Sequence, residues 1–436
     1  MGRPLSENAS ACRGAFPDLP QQAKEAGVLT ILRRILRYGD KVVHLTALLC
    51  QMTDRRKRPR IPTRLMAGSV LVMLLCRLGS LHALEKAKAS SFWRRWLQAP
   101  LPSADSIGRV YTLVDPDTVR GGIHQIYARL KRNKAIVSSW QCLIPLVVDG
   151  HESHASYRRH CDGCLRRTIR TEHGEKTQYY HRHVSALLVS RDFALLLDAE
   201  PQRPEEDEVA AAIRLLDRLI ARFPRAFDVV LGDALYTDPR FYQFLIQHGK
   251  EVLTVLKDQR RDLIQDALAL FAGMEPTELT LNSTRAQCWD VEGLTSWSQL
   301  DRPVRVIHSQ ERSHRRRQLD DQIEENVSCW MWVTTLSQRQ ATTLTTLKLG
   351  HSRWSIENEG FNEMVNHWSA DHVYKHESTA MLVFWLMTMI AYNLFQAFFF
   401  RNLKAVLHSA VTKLHIARLI SSELYQGIPS PIALPP

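Results

Sequence analysis

One uncharged stretch near the carboxyl end of the chain restricts the folds that it can adopt. Residues Thr379 to Phe400 contain no charged side chain and are numerous enough to span a lipid bilayer. The stretch also carries Asn393 and Gln396, whose amides are costly in lipid unless they have partners. It is either a single membrane span or a helix buried on nearly all faces in a large core. The second interpretation is favoured because the other long apolar stretch, Leu65 to Leu84, is interrupted by Arg77.

The composition is that of a basic globular protein. The chain has 436 residues, of which 45% are hydrophobic and 23% charged, so a packed core is expected over most of its length. Lys and Arg outnumber Asp and Glu by 57 to 45, which gives a net charge of +12. This charge favours a polyanionic partner, either nucleic acid or an anionic membrane face, although many basic proteins bind neither.

The cysteine content and the amino terminus predict a cytoplasmic protein. Eight cysteines are too few for a disulfide scaffold in a chain of this length, and most are scattered. They are typical of small apolar residues in a reducing compartment. The first residues, MGRPLSENASACRG, lack the apolar segment of a secretory signal.

The first third of the chain is predicted to be helical. Apolar residues recur at three- and four-residue spacing in VLTILRRILRYGDKVVHLTALLC and in RLMAGSVLVMLLCRL. A basic loop lies between these segments, and it contains Arg55, Arg56, Lys57 and Arg58. Two interpretations of the loop have equal weight: a DNA-binding surface and an ordinary solvated loop.

Short apolar runs typical of strands begin at Leu143. Leu143 to Gly150 predicts a buried strand that ends in an Asp-Gly turn. Tyr180 to Ser190 and Phe193 to Asp198 predict a tight hairpin. A helix, a strand, a helix and a strand are then predicted at Glu205 to Phe223, Phe227 to Leu231, Asp238 to His248 and Glu251 to Lys257. This order indicates an α/β fold with a mixed sheet flanked by helices.

The alternation of strands and helices stops between residues 258 and 342. This segment predicts one helix, several Thr-, Trp- and Val-rich strands, and a charged loop from Glu311 to Arg317. It is interpreted as a β-rich insertion. A long helical region is predicted from Thr343 through Phe400.

Three acidic residues stand out by their positions. Asp149 ends the first predicted strand, Asp233 follows the fourth, and Glu357 lies on the helix predicted for SRWSIENEGFNEMVNHW. Carboxylates at the ends of neighbouring strands and on a helix packed against the same sheet can converge, and oxygen ligands select Mg²⁺ or Mn²⁺. Taken alone, each residue is better explained as part of an ordinary turn or helix surface.

The order and spacing of these acids resemble the DDE transposases of bacterial insertion sequences. The resemblance covers roughly Leu143 to Phe400 and rests on LVVDG, on GDALY from Gly232, and on RWSIEN from Arg353. The family motif contains Tyr, Arg, Glu and Lys, and Arg353 and Glu357 match its Arg and Glu. Gly350 and Met364 occupy the Tyr and Lys positions, and Lys375 is one candidate replacement for the missing Lys.

The resemblance implies a ribonuclease-H-like core in which Asp149, Asp233 and Glu357 bind two Mg²⁺ or Mn²⁺ ions. It implies cleavage of DNA at terminal inverted repeats, followed by joining of the freed ends to target DNA. Arg353 would contact phosphate, and the basic amino-terminal region would bind the DNA ends. A homodimer in the synaptic complex, nucleoid association and a buried apolar helix without a membrane are also implied. The alternatives are a related nuclease that does not join DNA and an inactive DNA-binding derivative.

These inferences divide the chain into five predicted regions. Residues 1–137 are a helical DNA-binding region, and residues 138–257 are the first part of the catalytic core, with Asp149 and Asp233. Residues 258–342 are the β-rich insertion. Residues 343–402 contain the Glu357 helix and the apolar helix, and residues 403–436 are a carboxyl-terminal helix and tail.

A second cluster of candidate ligands lies between the first two predicted strands. Cys161 and Cys164 have the spacing of zinc ligands, and His154 and His160 are close enough in the chain to complete a set of four. A structural zinc site competes here with a turn that carries two free thiols and with a redox dithiol. The flanking basic residues, which include Arg166 and Arg167, predict a clamp on a DNA strand end.

Overall fold

The chain folds into two compact units, one helical and one built on a sheet. The computed structural model describes residues 31–138, 140–172, 174–257, 261–281, 284–316, 323–403 and 410–425. The helical unit comprises Met1–Leu130, His367–Lys375 and Val383–Pro436, and the sheet unit comprises Lys131–Asn366 and His376–Leu382.

Within the described residues from 31 to 132, seven α-helices form the first part of the helical unit. They are α1 (Ile31–Val43), α2 (Leu45–Gln51), α3 (Thr63–Leu75), α4 (Leu81–Lys86), α5 (Ser91–Trp96), α6 (Ala104–Tyr111) and α7 (Pro116–Arg132). α1 buries one apolar stripe, whereas α3 is buried from Met66 to Leu75. The predicted helical character of this region is confirmed over the described residues, and residues 1–30 lie outside them.

The sheet unit contains one mixed sheet of ten strands within the described residues. Its first six strands are β1 (Pro145–Ser156), β2 (Leu165–Thr171), β3 (Gly174–Val189), β4 (Ala194–Pro201), β5 (Val229–Gly232) and β6 (Glu251–Val255). β1 lies between antiparallel β3 and parallel β5, and β5 is parallel to β6. β4 pairs with β3 as the predicted hairpin. Helices α8 (Glu208–Arg222) and α9 (Pro239–Gln247) connect β4 to β5 and β5 to β6. The predicted mixed α/β, ribonuclease-H-like fold is confirmed.

The β-rich insertion continues this sheet. It contains α10 (Arg261–Phe271), β7 (Thr277–Leu281), β8 (Thr284–Leu294), β9 (Val304–Arg316) and β10 (Ile323–Thr334). β10 pairs antiparallel with β6, and β9, β8 and β7 follow outward in that order. The insertion therefore extends the edge of the core sheet.

Two local predictions were wrong, and one strand was not predicted. β1 passes through Asp149-Gly150 without turning and continues to Ser156, because β3 pairs with it throughout. The basic segment after β1 includes a strand, β2, which the sequence analysis did not predict. The segment from Glu311, predicted as a loop, continues β9 as far as Arg316 because it pairs with β10; Arg317 lies outside the described residues.

The helical region predicted from Thr343 through Phe400 consists of several separate helices. α11 (Thr343–Ser352) is followed by a π-helical turn (Ile356–Phe361) and by α12 (Asn362–Trp368). An irregular segment then separates α12 from α13 (Ser378–Asn402). The π-helical turn contains Glu357, a residue of the candidate active site.

The apolar stretch lies in α13, which is followed by α14 (Lys413–Tyr425). Among the described helices, α13 alone has the length and composition to cross a membrane, and its apolar window is fully buried. Inside the helical unit, Phe384 stacks on Tyr111 of α6, with ring centroids 4.3 Å apart, and Phe398 meets Tyr38 of α1 edge-on. The carboxylate of Glu423 in α14 accepts hydrogen bonds from the first backbone N–H groups of α1, both at 2.8 Å.

Candidate active site

Asp149 and Asp233 lie on neighbouring parallel strands. The ladder between β1 and β5 pairs Val147 with Leu231, and each aspartate lies two residues beyond that pair. The Asp149 Oδ1 atom accepts a hydrogen bond from the backbone N–H of Gly150 at 2.9 Å. The Asp233 Oδ1 atom accepts one from the N–H of Leu235 at 2.9 Å and caps a short 3₁₀ turn. The strand register thus brings both carboxylates close together just beyond the end of the ladder between β1 and β5.

Glu357 lies in the π-helical turn and approaches Asp149 from there. That turn contacts β1, β3 and β4. The ring of Phe361 lies 4.9 Å from the ring of His151, which is two residues beyond Asp149. Arg353 Nη1 donates a hydrogen bond to Glu357 Oε1 at 2.7 Å. A π-helical turn changes which side chains face the sheet, and such turns are frequent at functional sites.

Asp149 is the electrostatic centre of the cluster. Burial and the nearby carboxylates of Asp233, Glu208 and Glu357 raise the pKa of Asp149 to about 7, against the opposing effect of Arg353. Each of these acids therefore lies close enough to disfavour the charged form of Asp149. Arg353 and Arg182 pair with two of the four carboxylates, so the group keeps an excess of negative charge, and its oxygen donors fit the set that Mg²⁺ or Mn²⁺ requires.

Glu208 is a member of this cluster that the sequence analysis missed. It is the first residue of α8 and is buried. Its Oε1 atom accepts a hydrogen bond from the Tyr236 hydroxyl at 2.8 Å, and its Oε2 atom accepts one from Arg182 Nη1 at 3.0 Å. The carboxylate occupies the space that a side chain at Gly150 would need. Glycine at position 150 therefore allows the close approach of Glu208 and does not form a turn.

The ring of Tyr236 packs against the backbone of Gly232. A Cβ atom at Gly232 would lie 2.8 Å from the Tyr236 ring, so the ring packs directly over this glycine. Burial, followed by the charge of Glu208, raises the pKa of Tyr236 well above its ordinary value. The hydroxyl therefore stays protonated and keeps donating to Glu208.

The two positions that depart from the family motif are both buried. A Cβ atom at Gly350 would lie 3.0 Å from three ring atoms of Trp332, a residue of β10. The indole thus fills the space that a larger side chain at position 350 would need. Met364 is completely buried. Neither residue offers a polar group to a phosphate.

The candidate DNA-binding residues fall into two groups. Three are held by acids: Arg353 is 7% exposed and contacts Glu357, Arg56 contacts Asp54, and Arg167 donates two hydrogen bonds of 2.8 Å to Glu152. The other five are exposed, namely Arg55, Lys57, Arg58, Arg166 and Lys375. The exposed group is free of buried ion pairs and suits phosphate contact.

The structure groups the two cysteines with different histidines from those predicted. The Sγ atoms of Cys161 and Cys164 lie beside His181 and His376. His160 is exposed and stacks on Tyr179 instead. His154 lies next to His376, with ring centroids 4.5 Å apart.

The core sheet, with carboxylates grouped where β1 and β5 run side by side, defines a ribonuclease-H-like protein. The sequence profile of the transposase DDE domain matches residues 141–394, which is more than half of the chain. The chain therefore belongs to the DDE transposase family, as the resemblance indicated. No curated protein matches the chain.

Proposed function

We propose that this transposase cleaves DNA at the ends of an insertion sequence and joins those ends to target DNA by metal-dependent phosphoryl transfer. The observation that carries the proposal is the grouping of Asp233, Glu208 and Glu357 around Asp149. Burial, together with the charges of these three acids, raises the pKa of Asp149 to about 7. Isolated carboxylates at strand ends have no such influence on one another.

Asp149, Asp233 and Glu357 would hold two Mg²⁺ or Mn²⁺ ions, with Glu208 beside them. Bound ions of this kind activate an attacking oxygen and stabilise the leaving oxygen. The protein positions the carboxylates: Arg353 holds Glu357, while Tyr236 and Arg182 hold Glu208. Fixing the ligands before DNA binds reduces the reorganisation needed during the reaction.

The remaining roles follow from the charge distribution and the family. The helical region, with its exposed Arg55, Lys57 and Arg58, would bind the terminal inverted repeats. Residues 343–402 would complete the core that residues 138–257 begin, while residues 258–342 would be the insertion and residues 403–436 a carboxyl-terminal helix and tail. A homodimer would hold the paired ends, in the cytoplasm at the nucleoid and without a membrane. The buried apolar window of α13 supports the last point.

The test is cleavage of a labelled terminal-repeat duplex by three near-isosteric variants: Asp149→Asn, Asp233→Asn and Glu357→Gln. We expect each variant to lose Mg²⁺-dependent cleavage, because each substitution removes a charged metal ligand. Binding of the same duplex in Ca²⁺ should remain close to that of the unmodified protein. The matched control is Asp217→Asn, which changes an acid of α8 that has no part in the cluster.

The same assay separates the alternatives. Cleavage followed by joining to a second duplex supports the full proposal, and cleavage without joining indicates a nuclease. Binding without cleavage in any divalent ion indicates an inactive derivative. Undiminished cleavage by Glu357→Gln would remove that residue from the active site.

A further inference from the structure

The Cys161–Cys164 turn forms one side of a compact group of four side chains. Cys164 N–H donates to the Cys161 carbonyl oxygen at 3.0 Å, which closes the turn. His181 comes from β3, and His376 comes from the irregular segment just before α13. The two Sγ atoms and one nitrogen from each imidazole all lie within 4.8 Å of one another.

Four of the six separations within this group are close to those of tetrahedral coordination. The two Sγ atoms lie 3.8 Å apart, and His181 Nε2 lies 3.2 Å from each of them. His376 Nε2 lies 3.6 Å from Cys164 Sγ. Zn–S bonds of about 2.3 Å and Zn–N bonds of about 2.0–2.1 Å at tetrahedral angles place sulfurs about 3.8 Å apart and sulfur and nitrogen about 3.5 Å apart.

The donor types select a different metal from the one that the acidic cluster selects. Thiolate and imidazole donors are typical of zinc, whereas carboxylates suit magnesium. Two thiolates and two neutral imidazoles give a closed set of four ligands, which is the arrangement of structural zinc sites. A disulfide would need the sulfurs to be about 2.05 Å apart, and both thiols are free.

The group also has a fixed place in the sheet unit. A side chain at Gly163 would collide with the Ser378 hydroxyl, so the turn is pressed against the first residue of α13. His181 pairs with His154 in the ladder between β1 and β3, the same ladder that pairs Ser185 with Asp149. His154 lies five residues beyond Asp149 along β1, so the cysteine–histidine group lies about 16 Å along the strand from Asp149.

We propose that Cys161, Cys164, His181 and His376 bind one structural zinc ion. The ion would link three segments that are distant in the chain: the turn before β2, the middle of β3 and the start of α13. β2 carries the exposed Arg166, so the ion would also stiffen the basic hairpin on which that residue lies. This site is independent of the Mg²⁺ site and of the proposed reaction.

The test is the metal content of the full-length protein, purified with reductant after expression in zinc-supplemented medium. We expect one zinc ion per chain by mass spectrometry of the metal. Cys161→Ser, Cys164→Ser and His376→Gln should each lower this content strongly. Two matched controls should keep it: Cys142→Ser, an exposed cysteine elsewhere in the sheet unit, and His160→Gln, a neighbour of the turn outside the group.

Two measurements on the unmodified protein keep the proposal testable if the variants fold poorly. Replacement by Co²⁺ should give a thiolate-to-cobalt charge-transfer band and the visible absorption of tetrahedral cobalt. A zinc chelator should lower the apparent Tm, and Zn²⁺ but not Mg²⁺ should restore it. Zinc-free protein from supplemented medium, zinc retained by both cysteine variants, or a Cys161–Cys164 disulfide under reducing conditions would overturn the assignment.

Discussion

Glu208 shows how burial and hydrogen bonding distinguish one carboxylate from its neighbours in the sequence. It lies in a run of four acids, Glu205 to Glu208, that suits the first turn of a helix. Only Glu208 is buried, and it receives hydrogen bonds from both Tyr236 and Arg182. A carboxylate held in this way next to Asp149 can tune the affinity for a divalent ion, either as a ligand or through a bound water.

We expect Glu208→Gln to raise the Mg²⁺ concentration needed for half-maximal cleavage by about 10–100-fold, the range for residues that support metal ligands. A titration of cleavage rate against Mg²⁺ measures this directly. Asp217→Asn is the control, because it changes an exposed acid of the same helix that is not part of the cluster. An unchanged Mg²⁺ requirement in Glu208→Gln would limit Glu208 to a structural role.

Arg56 was a candidate DNA contact, but its guanidinium is bound to Asp54. Nε and Nη2 of Arg56 donate to the two carboxylate oxygens at 2.9 and 2.7 Å, and the Asp54 side chain is 1% exposed. Burial opposes ionisation of Asp54, yet hydrogen bonds from Arg56 and Thr63 lower its pKa to about 2. The pair therefore fixes the loop, while Lys57 and Arg58 point into solvent.

We expect Arg56→Ala to lower the free energy of unfolding of the helical unit by about 2–3 kcal/mol, because it leaves a buried carboxylate without its partner. Lys57→Ala should change it by less than about 0.5 kcal/mol. The folded-state pKa of Asp54 is lowered, so its stabilisation is complete above about pH 4 and is lost toward pH 2. Thermal unfolding from pH 7 down to acid measures both effects, and equal Tm values for the two variants would contradict the assignment.

The contact between α11 and β10 depends on a glycine. Gly350 lies in the last turn of α11 with the Trp332 ring against its Cα atom. The contact fixes the end of α11, immediately before the π-helical turn that carries Glu357. A bulky residue at position 350 would displace this helix end from the sheet.

We expect Gly350→Ala to destabilise the sheet unit by about 1–2 kcal/mol, since overpacking costs about 1–3 kcal/mol and the gain in helix propensity returns at most about 1 kcal/mol. Gly121→Ala is the matched control, because Gly121 lies in α7 with no atom within 4 Å of the added Cβ. That change should stabilise the protein by up to about 1 kcal/mol. Apparent Tm values distinguish the two, and an increase for Gly350→Ala would show that Trp332 yields easily.

The elements that the sequence predicted well are those whose signal is local. Apolar runs located β1, β3, β5 and β6, and the acids that follow the apolar runs of β1 and β5 pointed to Asp149 and Asp233. The π-helical turn at Glu357 was not predicted because its sequence has ordinary helical spacing. His181 and His376 were missed because strand pairing and long-range packing, not sequence proximity, bring them to the cysteines.

For the protein as a whole, the net charge of +12 favours DNA binding whose affinity depends on salt concentration. We expect the observed association constant for terminal-repeat DNA to fall steeply with salt, by about 10³–10⁵ between 50 and 200 mM if six to ten phosphates are neutralised. Lys57→Ala and Arg58→Ala should each reduce the slope of the log–log plot by about 1. Fluorescence anisotropy at several salt concentrations measures the slope, and a flat response would exclude these basic residues as the binding surface.

The hydrogen bonds from the start of α1 to Glu423 have a consequence for synthesis on the ribosome. The first and the last of the described helices belong to the same unit, so α1 cannot make these contacts until residue 423 has been synthesised. A nascent chain would expose the apolar faces of those helices throughout translation. A copy truncated by a late stop codon would lack this closing contact and would be a substrate for cellular proteases.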